Sequence, residues 1–154
     1  MFNLASYLPY LVNRIGVRLA GAFGKELAAY GITLPMWRVL AALRQRGGQR
    51  VGRLAEATSI EVSTLSRLLA GMERRGLVRR ERASEDARSV LVELTQAGAR
   101  LIQRIIPQAL HYEDVALRDF DRADAEALKD MLVRVYDNIG ALEEEGLEKA
   151  RRSA

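Results

Sequence analysis

Residues 51–76 read VGRLAEATSIEVSTLSRLLAGMERRG, two helical patterns with a very short connection. The first places Val51, Leu54 and Ala55 on one face. A turn through Thr58, Ser59, Ile60 and Glu61 follows. The second repeats Leu65, Leu68, Leu69 and Met72 at i, i+3, i+4 and i+7, the spacing of an amphipathic helix. Its opposite face shows Ser63, Thr64, Ser66, Arg67 and Arg74, and Gly76 closes it. A short helix, a tight turn and a second helix with a polar, hydroxyl-rich outer face is the pattern of a helix-turn-helix.

Upstream, Gly47-Gly48 ends a helix whose apolar face is Met36, Val39, Leu40 and Leu43. Thr33 is its expected N-cap, with Pro35 in the first turn. Before that, Leu8, Val12, Ile15, Leu19, Phe23 and Leu27 step by three and four along a long helix. It begins near Pro9 and stops at Tyr30-Gly31. Downstream the period changes. Leu77 to Arg82 and Arg88 to Leu94 are β-compatible, with Val90, Val92 and Leu94 alternating against Ser89, Leu91 and Glu93. Residues 83–87 form the turn of an arginine-rich hairpin carrying Arg79, Arg80, Arg82 and Arg88. Thr95 is expected to cap a helix through Leu101, Ile105 and Ala109, which Pro107 should kink or end. Asp121 is expected to cap the last helix, whose Leu128, Leu132, Val135, Ile139 and Leu142 step 4-3-4-3 like a coiled-coil seam.

Charge follows the same division. Residues 44–104 hold thirteen arginines and seven acids, whereas residues 105–154 hold seven basic groups and twelve acids. Every basic residue of the middle segment is Arg, whose planar fork suits phosphate and guanine. The chain is 49% hydrophobic and 29% charged, an ordinary globular composition, with a net charge of +4. It has no cysteine, which removes disulfides, thiolate metal sites and thiol redox switching. With His111 as its single histidine, no glycine-flanked serine elbow and no phosphate loop, the sequence offers no catalytic or metal-binding constellation and calls for no cofactor. No apolar run reaches membrane-spanning length and no signal peptide is evident, so a cytoplasmic protein is expected.

These features define a mainly α fold, a winged helix-turn-helix lobe with a two-stranded wing at about residues 33–95. N- and C-terminal helices, at about 5–30 and 96–145, form a helical dimerisation region, all within a single domain 1–154. In such a lobe the second helix of the helix-turn-helix enters the major groove. Ser63, Thr64 and Ser66 permit close approach there, and Arg67 and Arg74 reach bases or phosphates. Arg79, Arg80 and Arg82 cannot all point one way on a strand; Arg80 is taken as the phosphate contact.

The residues here resemble the MarR family of bacterial regulators from about Val12 to Leu142. The resemblance rests on Leu54-Ala55-Glu56, on Ser63 through Leu69, on Met72-Glu73-Arg74-Arg75-Gly76-Leu77-Val78, and on Asp86-Ala87-Arg88 followed by Val90 through Gly98 with its Leu-Thr-x-x-Gly. It implies that Arg88 is the wing-tip arginine of the minor groove and that Asp86 orients it. Ala87 stands where the family's wing turn usually has a first arginine. It also implies a homodimer on a pseudo-palindromic double-stranded operator, held by the first helix and the last two. Leu8, Val12, Leu128, Leu132, Val135 and Ile139 would form that interface. Family members commonly bind a small effector between the dimer region and the winged lobe. Asn13, Arg14, Met36, Trp37 and His111 are the candidates for it here, and the arginine suggests an anionic aromatic or acyl compound. Trp37 is read as core before pocket, and His111 as a dimer-interface or pocket-wall residue. The expected function is a ligand-responsive repressor rather than an enzyme. A DNA-binding regulator without an effector, and a degenerate winged helix that binds protein, are the rival readings.

Overall fold

The structure, a computed structural model, describes residues 1–82 and 90–152, and of Arg82 and residues 142–152 the backbone alone. A 3-10 turn (Leu4–Ser6) precedes α1 (Leu8–Ala29) and α2 (Leu34–Arg46). There follow β1 (Gln49–Arg50), α3 (Val51–Thr58), α4 (Val62–Arg74), β2 (Val78–Arg82), β3 (Val90–Leu94), α5 (Gln96–Ala116) and α6 (Arg122–Arg152). The chain forms two compact units, Met1–Tyr112 and Glu113–Ala154.

The core of the first unit collects the apolar faces read from the sequence. Leu27 of α1, Leu40 of α2, Leu54 of α3, Leu65 and Leu69 of α4, Val92 of β3 and Ile102 of α5 are wholly buried. The stripe on α1 is only half used: Phe23 and Leu27 are in the core, but Leu8, Val12, Ile15 and Leu19 are exposed. In the second unit, Leu132 and Ile139 of the α6 seam are likewise exposed, and Leu128 and Val135 are half-buried. Asp121 caps α6 through the Asp124 amide at 2.8 Å, and Lys129 bridges Glu113 at 2.6 Å and Glu126 at 3.2 Å.

Three helices of the first unit stop in the same way. At the end of α1 the Ile32 and Gly31 amides return to the Leu27 and Ala28 carbonyls; after α4, Leu77 and Gly76 return to Met72 and Glu73. These paired bonds are Schellman closures, with the left-handed residue at Gly76 (φ +67°) and the following Leu77 buried over Met72. Between α3 and α4, Ile60 and Ser59 close onto Ala55 and Glu56 in the same pattern. Here the left-handed position is Ser59 (φ +51°), a conformation that costs a non-glycine residue. Thr58 supports the turn by donating to the Leu54 carbonyl at 2.7 Å.

The structure corrects one expectation and refines two. The wing hairpin is part of a three-stranded antiparallel sheet of order β1-β3-β2, with Gln49 opposite Val92 and Arg50 opposite Leu91. Two residues are too few to show an alternating pattern; Gln49 is held because its buried amide donates to the Ala42 carbonyl at 2.8 Å. Thr33 occupies the N-cap position of α2 but its side chain caps nothing. Pro107 does not end α5, which continues through it to Ala116.

The Leu-Thr-x-x-Gly sequence is a joint. The Thr95 hydroxyl donates to the Gly76 carbonyl at 2.5 Å and accepts from the Gly98 amide at 3.1 Å, capping α5. The Thr95 amide donates to the Leu77 carbonyl at 3.1 Å. A Cβ on Gly98 would lie 2.0 Å from that same Leu77 carbonyl oxygen, so α5 meets the α4–β2 turn with no room for a side chain. Gly98→Ala is therefore expected to destabilise the protein by about 1–3 kcal/mol, the usual range for overpacking. Gly52→Ala, where nothing lies within 4 Å of the added carbon, should instead stabilise by about 0.5–1 kcal/mol. Denaturant unfolding of the two variants beside the parent checks both signs.

Candidate nucleic-acid interface

α4 buries Leu65, Leu69 and Met72 and turns Ser63, Thr64, Ser66, Arg67 and Arg74 outward, all exposed. Ser63, Arg67 and Arg74 recur at steps of four and seven and therefore share one face. Ser66 donates its hydroxyl to the Val62 carbonyl at 2.9 Å, leaving its acceptor side free. Among the described residues, Arg67 and Arg74 have no ion-pair partner.

The start of α4 holds a residue that pattern reasoning left in the turn. Glu61 is the N-cap: its carboxylate accepts from the Ser63 amide at 2.9 Å, the Thr64 amide at 3.0 Å and the Ser63 hydroxyl. The Ser63 hydroxyl and then the two backbone amides lower its pKa from 4.5 to about 2. Ser63 thus presents its hydroxyl to Glu61, and an approaching acceptor would have to compete for it. An acidic residue one position before a helix, followed by Ser-Thr two residues on, was the available signal.

The wing strands begin with paired arginines. Arg80 donates through Nε (2.8 Å) and Nη2 (2.5 Å) to Glu73 of α4, and its amide meets the other carboxylate oxygen at 3.2 Å. The Arg80 hydrogen bond holds the Glu73 carboxyl below its ordinary value. Arg79 pairs with Glu93 across the β2–β3 ladder at 2.5 Å and lies 3.5 Å from Glu81, contacts that raise its pKa. Arg80 therefore ties the wing to α4, a role that its sequence assignment did not include. Asp86 and Arg88 lie outside the described residues.

The five effector candidates are spread over several elements. Asn13 and Arg14 are exposed on α1, with the Arg14 guanidinium 5.4 Å above the Tyr10 ring. Met36 is buried and its sulfur accepts from Arg75 at 3.6 Å. Trp37 is half-buried, edge-on to Phe23 at 5.2 Å, and Phe23 also contacts Tyr112 at 5.5 Å, an aromatic cluster joining α1, α2 and α5. His111 is exposed and meets Tyr112 edge-on at 6.1 Å. Trp37 lines a shallow groove of about 440 Å³ with Arg38 and Ser59, which the other four candidates do not reach.

This fold has parallels among known proteins. The model of the MarR family matches residues 32–90. The organic hydroperoxide resistance transcriptional regulator of Bacillus subtilis (strain 168) is 36% identical over 104 residues, which is 68% of this chain and 71% of that protein. A MarR-family transcriptional regulator from Silicibacter pomeroyi superposes with a TM-score of 0.81 at 35% identity, over 89% of this chain and 92% of that one. The PcaV transcriptional regulator from Streptomyces coelicolor, solved in complex with its natural ligand, gives a TM-score of 0.77 at 25% identity, covering 89% and 96%.

The Glu61 cap has a pH signature. Because the folded carboxyl sits below its ordinary value, its stabilising contribution is complete above about pH 4.5 and is lost as the pH falls through about 2. A carboxyl-detected NMR titration should give Glu61 a midpoint near 2. Glu61→Gln should melt lower than the parent at neutral pH, with the difference shrinking steadily in acid. A gap that stays constant down to pH 2 would mean that the carboxylate is not the cap.

Proposed function

Since the chain belongs to the MarR family of transcriptional regulators, we propose that it binds a pseudo-palindromic operator in double-stranded DNA as a homodimer and represses transcription until a small effector releases it. The observation that carries this reading is the outward face of α4, where two arginines without an ion-pair partner among the described residues stand in line with small hydroxyl residues while the opposite face is core. Such a face fits the major groove: the hydroxyls allow close approach, and a guanidinium can take a guanine edge bidentately or a phosphate. Arg88, oriented by Asp86, would follow the minor groove from the wing. Arg80, held by Glu73, contributes by fixing the wing against α4.

The apolar residues left uncovered support a dimer. Leu8, Val12 and Ile15 of α1, and Leu132 and Ile139 of α6, are each more than two-fifths exposed in the single chain. A second copy would remove them from water at about 25 cal/mol per Å². The long helices at both ends then serve as the dimer region of a single functional domain. Its geometry sets the distance between the two α4 helices, which must match about one DNA turn, roughly 34 Å.

An effector between the dimer region and the winged lobe would act by changing that distance and shifting the population away from the binding state. An anionic aromatic or acyl compound, met by Arg14, Asn13, Trp37, Met36 and His111, is the class we favour. PcaV's complex with its natural ligand is the supporting parallel. The relatives are transcriptional regulators, and catalysis forms no part of this reading. No helix among the described residues is long and apolar enough to cross a membrane; the site of action we propose is the cytoplasm, on DNA.

Selection from random duplexes at two salt concentrations tests the proposal. It should return a two-fold symmetric site with half-site centres about one turn apart and binding that weakens steeply with salt. Arg67→Ala should weaken the selected site by about 1–3 kcal/mol and relax preference at one position per half-site. Absence of any enriched sequence would favour a protein-binding winged helix instead. Trp37 is the sole tryptophan, so fluorescence titration with aromatic acids reads effector binding; a flat response across them would favour a regulator without that effector class.

A further inference from the structure

A second concentration of positive charge lies away from the outward face of α4. Arg46 ends α2, Arg50 forms β1 with Gln49, and Arg53 stands in the first turn of α3. Eight residues of sequence thus pass through a helix end, a strand and a helix start, and bring three guanidinium groups to one place. Together with Gln45 they line a solvent-open groove of about 770 Å³. Its acid is Glu56, which is engaged by Arg53 at 3.2 Å. Arg46 and Arg50 have no ion-pair partner among the described residues, in contrast to Arg79 and Arg80, each of which is matched by a glutamate.

Three cations sharing a groove with one acid repel one another unless an occupant supplies negative charge. The groove is open and polar, which suits a strand passing through better than a small molecule held on all sides. Its position points to the same occupant. α3 is the first helix of the helix-turn-helix, the one that crosses the backbone when its partner enters the major groove. Arg50 is opposite Leu91, and Leu91 is opposite Glu81, one rung from the last wing pair of Arg82 and Val90. The groove therefore lies between the first helix and the turn end of the described wing strands.

We propose that Arg46, Arg50 and Arg53 form a phosphate-binding groove that grips one strand of the operator backbone beside the major groove entered by α4. This rests on the DNA-binding reading above and adds to it a contact that fixes register and affinity without reading sequence. Glu56 restrains Arg53, so Arg46 and Arg50 are the principal contacts.

The test compares the full-length protein with Arg46→Gln/Arg50→Gln/Arg53→Gln and with the corresponding triple lysine variant on one selected duplex. The glutamine variant should bind at least ~10-fold more weakly and flatten the slope of log affinity against log salt by roughly 2–3, since each phosphate neutralised by a cation adds about 0.9 to that slope. The triple lysine variant, which keeps the charge, should retain the parental slope. Arg46→Gln alone, at an exposed helix end, should flatten it by about 1 in a lobe that keeps its melting temperature. The parent should lose affinity when neutral methylphosphonates replace a few adjacent backbone phosphates; the glutamine variant should lose nothing further at those positions. Equal slopes for parent and Arg46→Gln, or a changed base preference in the triple variant, would overturn the groove while leaving DNA binding intact. If the parent selected no duplex at all, the underlying reading would fall and the groove with it.

Discussion

One hydroxyl and two backbone carbonyls govern the placement of α4. Thr95 donates to the Gly76 carbonyl through its side chain and to the Leu77 carbonyl through its amide, and it caps α5 by accepting from Gly98. Four elements meet there: the end of α4, the start of β2, the end of β3 and the start of α5. The turn that follows α4 leaves carbonyls without partners, and a helix start leaves amides. Bringing both to a single threonine satisfies them in a place where Leu77 and Val78 are already buried. The close approach is possible because position 98 has no side chain, so backbone lies against backbone. The wing therefore leaves the lobe in a fixed direction, and the pairing of Arg80 with Glu73 extends that rigidity one turn along α4.

Much of this was legible because it depends on local chemistry. Helix ends at Gly31 and Gly76 need a left-handed residue, and the sequence supplies glycine at both. The buried face of α4 follows from helical spacing alone, as does the capping role of Asp121 from its place before the last apolar seam. What escaped has physical reasons. A strand of two residues, Gln49–Arg50, has no period to detect, and it is held by a side-chain amide on Ala42, 7 residues away. The turn at Ser59 carries no glycine because the closure onto Ala55 and Glu56 compels the conformation. The stripe on α1 indicates an amphipathic helix but not which partner covers it; the core of this chain takes only its second half. The candidate site was read in the same uneven way. Exposure of Ser63, Thr64, Ser66, Arg67 and Arg74 follows from the burial of the opposite face, whereas the pairing of Arg80 depends on Glu73, 7 residues earlier on another element.

Pairing divides the arginines of the middle segment into two kinds. Arg79 and Arg80 stand opposite Glu93 and Glu73, and their charges hold strand to strand and strand to helix. Exposed pairs of this type add little stability on their own, but they fix direction, which matters for a wing that must meet DNA at a set angle. Arg46, Arg50, Arg67 and Arg74 have no such partner among the described residues. Charge that a protein leaves unpaired is available to an anion, and a duplex carries one roughly every 1.7 Å along its axis. Composition alone counts all these arginines as equal; the partners make them different.

The N-terminus of α4 gives that division a further consequence. A helix start attracts phosphate through its free amides and its dipole, and in a helix that enters a groove this end is the natural place for a backbone contact. Here Glu61 already occupies it, satisfying the Ser63 and Thr64 amides with a carboxylate that stays ionised down to about pH 2. A phosphate brought to that position would meet a negative charge rather than two open donors. Backbone contacts must then come from side chains placed elsewhere, at the end of α2, on β1 and on α3. Arg46, Arg50 and Arg53 stand there, and the acid that closes one anion site makes the case for the other.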